Sequence, residues 1–177
     1  MRLIFAAVFA FVFASEAMAG NIALPMPDNA DTIMYSEKGP LRLKSFGSDN
    51  TANFNGVFEL SGTYYYGRNT LDDGSLETTL YFLPDRATAS RLPRFKVRGQ
   101  PRSIYLSNEA GFAREVIPAY ERTGLKKDKF LSGHADILVD QFQAGIQCDA
   151  PYFNAHFLRV AHSPVTVAMA NLPDIGC

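Results

Sequence analysis

Val57–Tyr66 carries the strongest strand signal of the chain. Phe58, Leu60, Gly62, Tyr64 and Tyr66 fall on one side of a period of two, and Val57, Glu59, Ser61, Thr63 and Tyr65 fall on the other. β-Branched and aromatic residues dominate both sets, so the segment reads as a half-buried strand. Gly62 at its middle predicts a bulge or a sharp bend. A second strand, Ser75–Leu83, follows the Asp72-Asp73-Gly74 turn and stops at Pro84, and Ser103–Leu106 makes a short third.

The period then changes. Phe112, Ala113, Val116, Ile117 and Tyr120 recur at helical spacing after Ser107 or Asn108, either of which can cap a helix from Glu109. Pro118 predicts a kink or restart, and Gly124 a stop. Lys126–Lys129 reads as a solvated connector. Two more alternating segments follow, Leu131–Phe142 and Tyr152–Ala161, and Val165–Ala170 could add an edge strand. The chain is therefore mainly β with one helix, in the order β-β-β-α-β-β. A helix between the third and fourth of five strands resembles the oligonucleotide/oligosaccharide-binding (OB) barrel. A long first strand with a central glycine suits the coiling that such a barrel needs. An α+β or β-sandwich arrangement of the same strands is the alternative.

The N-terminus bears on compartment rather than fold. Arg2 precedes an apolar run from Leu3 to Ala14, and Ala17-Met18-Ala19 presents small residues where a signal peptidase cuts. Residues 1–19 thus read as a signal peptide, with Gly20 as the mature N-terminus and a periplasmic or secreted destination. The run is too short to span a bilayer, and no other run is long enough, so no stable membrane insertion is expected. Gly20–Asn53 is rich in Pro, Asn, Asp and Ser and reads as an extended arm, with a short strand at Leu41–Phe46; residues 54–177 form the single domain. Cys148 and Cys177 are the only cysteines. In an oxidising compartment the expected arrangement is one disulfide between them, with intermolecular pairing or redox use as alternatives.

A net charge of −1 argues against action by bulk attraction to nucleic acid. One segment breaks that neutrality. Residues 85–102 hold Arg86, Arg91, Arg94, Lys96, Arg98 and Arg102 against the single acid Asp85. Arginine forks pair with carboxylate, phosphate or sulfate, so the segment is a candidate site for an anionic ligand or glycan; the plainer reading is a solvated loop paired with nearby acids. Tyr65 points opposite to Tyr64 and Tyr66, and it could stack on a sugar or base if the even-numbered face is core.

The three histidines, His134, His156 and His162, carry no metal-ligand spacing, and neither a metal nor a cofactor is expected. Elbow, phosphate-loop and metalloprotease motifs are absent. A hydrolytic site would require His134, Asp136 and His156 to meet in one cleft. These readings point to a non-enzymatic exported module that binds an anionic or glycan ligand. The alternative is a protein-interaction module, such as an enzyme inhibitor or an envelope assembly factor.

Overall fold

The strand that begins with this alternation runs further than its signal and pairs on both of its edges. The protein is seen in a computed structural model that describes residues 20–27, 31–47, 49–71, 73–118, 125, 129–162 and 168–171. In chain order the elements are β1 (Asn21–Pro25), β2 (Thr32–Ser36), β3 (Arg42–Phe46), β4 (Ala52–Asn55), β5 (Phe58–Thr70), β6 (Leu76–Pro84), α1 (Arg86–Ala89), β7 (Arg94–Phe95), β8 (Ile104–Ser107), α2 (Glu109–Val116), β9 (Phe130–Gln147), β10 (Ala150–Val160) and β11 (Ala168–Ala170). Residues 1–19, read from sequence as a signal peptide, and 119–124, 126–128 and 172–177, onto which the expected end of the helix, the connector and the tail fall, lie outside the described residues.

β5 pairs antiparallel with β6 and with β9, and β6 pairs antiparallel with β8. β8 pairs parallel with β10, which returns antiparallel to β9. The ring β5-β6-β8-β10-β9 therefore closes on itself with α2 between its third and fourth strands, and the fold is an OB-like barrel. Phe58, Leu60 and Tyr64 are buried, so the even-numbered face of β5 is core. Gly62 does not mark a bulge. Its register is unbroken toward both Pro84 and Ala135. A Cβ there would collide with the Leu83 carbonyl oxygen, so glycine serves a close approach of β6 to β5.

β9 extends past the Phe142 expected from sequence because it changes phase. Leu131, Ala135, Ile137 and Val139 are buried, then Phe142 and Ala144. Gln141 has a φ of 50°, and the register steps from His156↔Asp140 to Asn154↔Gln143. The extra residue moves the core set from odd to even numbers, which keeps both halves of the strand facing inward.

The N-terminal segment, read from sequence as an extended arm, carries four strands. β1, β2 and β7 form a three-stranded sheet, and β3 and β4 extend the barrel sheet beside β9. Met26 and Ile33 are buried in the same core as the barrel residues. Rings connect the two ends of that core. Phe157 and Tyr64 both pack on Phe112 of α2, while Phe95 contacts Phe153, and Phe153 contacts Phe142. α2 ends before Pro118, with Ile117 already extended. Asn108 stands at its N-cap position, but its Nδ2 donates to the Phe157 carbonyl at 3.0 Å instead of its oxygen capping the helix.

The expected Cys148–Cys177 bridge is not formed at Cys148, whose thiol is exposed and free. β11 pairs antiparallel with the start of β9 and brings Ala170 beside Phe130.

Tyr64 is fully buried, and among the described residues its hydroxyl has no hydrogen-bond partner. Burial pushes its pKa up to about 12. Tyr64→Phe is expected to raise stability by about 1 kcal/mol in urea denaturation, because an unsatisfied hydroxyl is removed with little change of shape. A loss of stability would mean that the hydroxyl is satisfied in solution.

Candidate functional site

The outer face of the barrel is read from the strand registers. Residues paired across neighbouring strands share a face, and Leu80, Phe82, Ile104 and Leu106 point inward. Tyr81 on β6 and Tyr105 on β8 therefore point outward. They are a cross-strand pair with ring centroids 6.0 Å apart, edge to face. The register continues from Tyr105 to Asn154 on β10, from Asn154 to Gln143 on β9, and from Gln143 to Asn53 on β4. Gln143 Nε2 donates to Asn53 Oδ1 at 2.9 Å, which fixes both amides. In the other direction Tyr81 pairs with Tyr65 on β5, so Tyr65 belongs to the same row and is half-buried on the outer face.

Three clefts follow this row. The first, about 360 Å³, lies between Tyr81, Ser103 and Tyr105 on one side and the β9–β10 hairpin with Cys148 and Tyr152 on the other. The second, about 160 Å³, shares Tyr105 and Asn154 with the first and adds Ser107 and His156. The third, about 310 Å³, shares Gln141 and Gln143 with the second and reaches Lys44 and Ser45 on β3. Together they make one track across the strands, aromatic at the β6–β8 end and lined with amides toward β4.

Its walls are held in place. The Tyr152 ring lies over Gly145, where any Cβ would strike it, and its hydroxyl reaches Thr51 Oγ1. Tyr105 Oη donates to Glu109 Oε1 at 2.7 Å. Burial first, and then this bond and the Glu109 charge, push the Tyr105 hydroxyl well above its ordinary pKa, so it stays a neutral donor. Burial, with the nearby Glu77 charge, also raises that of Tyr81.

The arginines marked by the sequence go elsewhere. Arg98 Nη1 pairs with the fully buried Asp31 carboxylate at 2.9 Å, and its Nε donates to the Asp149 carbonyl at 3.2 Å. The Arg91 guanidinium sits 5.1 Å from the Phe58 ring centroid. Arg86 is on α1 and Arg94 on β7, while Lys96 and Arg102 are exposed in the connections. None of the six lines the three clefts, whose only cation from lysine or arginine is Lys44.

The histidines also separate. His134 Nε2 is 3.0 Å from Asp85 Oδ2, His162 Nδ1 lies 3.6 Å from Glu59 and 3.8 Å from Asp136, and His156 Nδ1 meets Asp140 at 2.9 Å. Only His156 lines a cleft of the track, so His134, Asp136 and His156 do not meet as a hydrolytic site. Among the described residues no group of three His, Cys, Asp or Glu is placed to hold a metal ion. No helix among them is long and apolar enough to cross a membrane.

Tyr65, singled out by the sequence, lies on the outer-face row but lines none of the three clefts, and the sequence reading did not single out Tyr81, Tyr105, Asn154, Gln143 or Asn53. The available signal was the outward phase of Tyr81 and Tyr105 between inward-facing apolar neighbours. Compared with protein-family models, with curated proteins and with solved structures, this chain matches none.

Proposed function

We propose that the protein is a non-enzymatic binding module that holds a glycan on the tyrosine–amide track of its OB-like barrel. The observation that carries this reading is the continuous register Tyr81–Tyr105–Asn154–Gln143–Asn53 beneath three connected clefts. Tyrosine faces suit the apolar faces of pyranose rings, and amides supply both donors and acceptors to sugar hydroxyls. The second and third strands of an OB barrel and its strand-four-to-five loop form the surface that binds oligonucleotides or oligosaccharides in that fold. Here charge separates the two. A phosphate backbone needs a run of cations, whereas this track offers Lys44 and carries Glu109 behind Tyr105. The leader read at residues 1–19 gives the module an exported address, periplasmic or extracellular, where glycans are exposed.

The chain has eight tyrosines and no tryptophan, so tyrosine is the intrinsic fluorophore, and three of the eight, Tyr81, Tyr105 and Tyr152, line the track. Titration with linear cello-, chito-, malto- and xylo-oligosaccharides is expected to perturb it. Tyr81→Ala or Tyr105→Ala should weaken binding by about tenfold, equivalent to ~1.4 kcal/mol. Arg94→Ala and Arg102→Ala should leave affinity within about twofold, and so should an increase in salt from about 50 to 500 mM. Binding that falls steeply with salt and with the arginine variants, but not with the tyrosine variants, would replace the glycan reading with an anionic ligand on the basic segment.

A further inference from the structure

Resting on that glycan reading, we infer that the ligand is an extended linear chain of about four sugar units lying across the strands, with its stacked end at Tyr81 and Tyr105 and its hydrogen-bonded end at Gln143 and Asn53. The row crosses five adjacent strands, β6, β8, β10, β9 and β4. Neighbouring strands are about 4.8 Å apart, so the row is about 19 Å long, and a pyranose unit of an extended chain advances by a similar step of roughly 5 Å. Four units therefore span the four steps between these five strands, each sugar lying between the side chains of two neighbouring strands.

The order of those side chains gives the site a polarity. Aromatic rings stand at β6 and β8, and neutral amides stand at β10, β9 and β4. The clefts adjoin in the same order, sharing first Tyr105 and Asn154 and then Gln141 and Gln143 as lining residues. Gln141 stands at the bulge of β9 with a positive φ, and it lines both the second cleft and the third. A single-sugar site would need only the first cleft and would leave the Gln143–Asn53 pair without a role in binding.

The test is a length series of the four oligosaccharide families, from two to six units, titrated into the full folded chain and its variants. Affinity is expected to rise by about 100-fold from two units to four and then to change by no more than about twofold up to six. Gln143→Ala and Asn53→Ala should lower affinity for four units by about tenfold and leave affinity for two units unchanged, while Tyr105→Ala weakens every length. Binding by two units as tight as by six, or affinity still climbing at six, overturns the four-unit chain and leaves the glycan reading standing. No binding by any oligosaccharide overturns that reading and this inference together. Near-ultraviolet circular dichroism of each variant, dominated by the tyrosines, separates a lost contact from a lost fold.

Discussion

Asp31→Ala is expected to cost about 2–4 kcal/mol of folding stability, measured by urea denaturation at neutral pH. The Asp31 side chain is fully buried, and its carboxylate accepts three hydrogen bonds: from Thr32 N at 2.7 Å, from Val97 N at 3.1 Å and from Arg98 Nη1 at 2.9 Å. Removing it orphans two backbone donors and leaves a guanidinium that is itself mostly covered, with a side-chain exposure of 28%. That residual access to water keeps the cost toward the lower part of the range for broken buried pairs. Asp31→Asn preserves the shape and some of the acceptors and should lose roughly half as much.

The same group sets an acid limit. Burial acts to raise the Asp31 pKa, but the hydrogen bonds from Thr32, Val97 and Arg98 together with the Arg98 charge outweigh it, and the net direction is downward. A carboxyl held below its unfolded value of about 3.9 contributes fully above that pH, and its contribution is lost as pH falls through the folded value. Wild-type stability should therefore show no dependence on this group from about pH 5 to 8 and a decline below about pH 4, and Asp31→Ala should lack that part of the decline. Arg98→Met should move the onset of acid unfolding to higher pH. A variant within about 0.5 kcal/mol of wild type at pH 7 would show that the pair is not needed to join the small sheet to the barrel.

That pair also shows what the sequence could convey. Arg98 stands out as one of six cations in a neutral chain, but its partner lies 67 residues earlier in a segment with no periodicity. Charge was legible, and pairing with some acid was one of its two readings, but the particular partner Asp31 was not. β1 and β2 were illegible for a related reason. Each has five residues, and what defines them is pairing with each other and with β7, some sixty positions later.

Elements with one phase were readable. β5, β6, β8 and β10 alternate against a single core, and α2 carries a single apolar stripe. β9 changes phase at Gln141, and a pattern search that assumes one phase stops there. The barrel order was legible from the sequence of elements, whereas its closure through the parallel β8–β10 pair depends on non-local register. The candidate site follows the same division. Tyr65 was recognisable as outward-facing from the alternation of β5 alone. The row that continues through Tyr81, Tyr105, Asn154, Gln143 and Asn53 exists only once five registers are set.

Phe112→Ala is expected to cost about 3–5 kcal/mol, the largest effect of any single substitution considered. The ring is fully buried and packs edge to face on Tyr64 at 5.0 Å and on Phe157 at 5.2 Å, joining α2 to two strands of the barrel. Truncation removes the transfer energy of the ring, leaves a cavity in a core that cannot collapse freely, and breaks two aromatic contacts. α2 spans only eight residues, too short to be stable without tertiary packing. It is also tied to β10 by the hydrogen bonds from Asn108 Nδ2 to the Phe157 carbonyl and from Val160 N to Glu115 Oε2 at 2.9 Å, and by the core shared with Ala113 and Val116. Phe112→Leu should cost about 1–1.5 kcal/mol, because much of the volume is kept. The consequence should extend to the outer face. Glu109, the first residue of α2, accepts the Tyr105 hydroxyl, so a loosened helix frees one of the two rings at the aromatic end of the track. Phe112→Ala is thus expected to lower stability and also to weaken oligosaccharide binding by severalfold under conditions where the variant is still folded. A large stability loss with unchanged affinity would mean that β8 alone orients Tyr105; a loss below about 1.5 kcal/mol would mean that the barrel closes its core without α2.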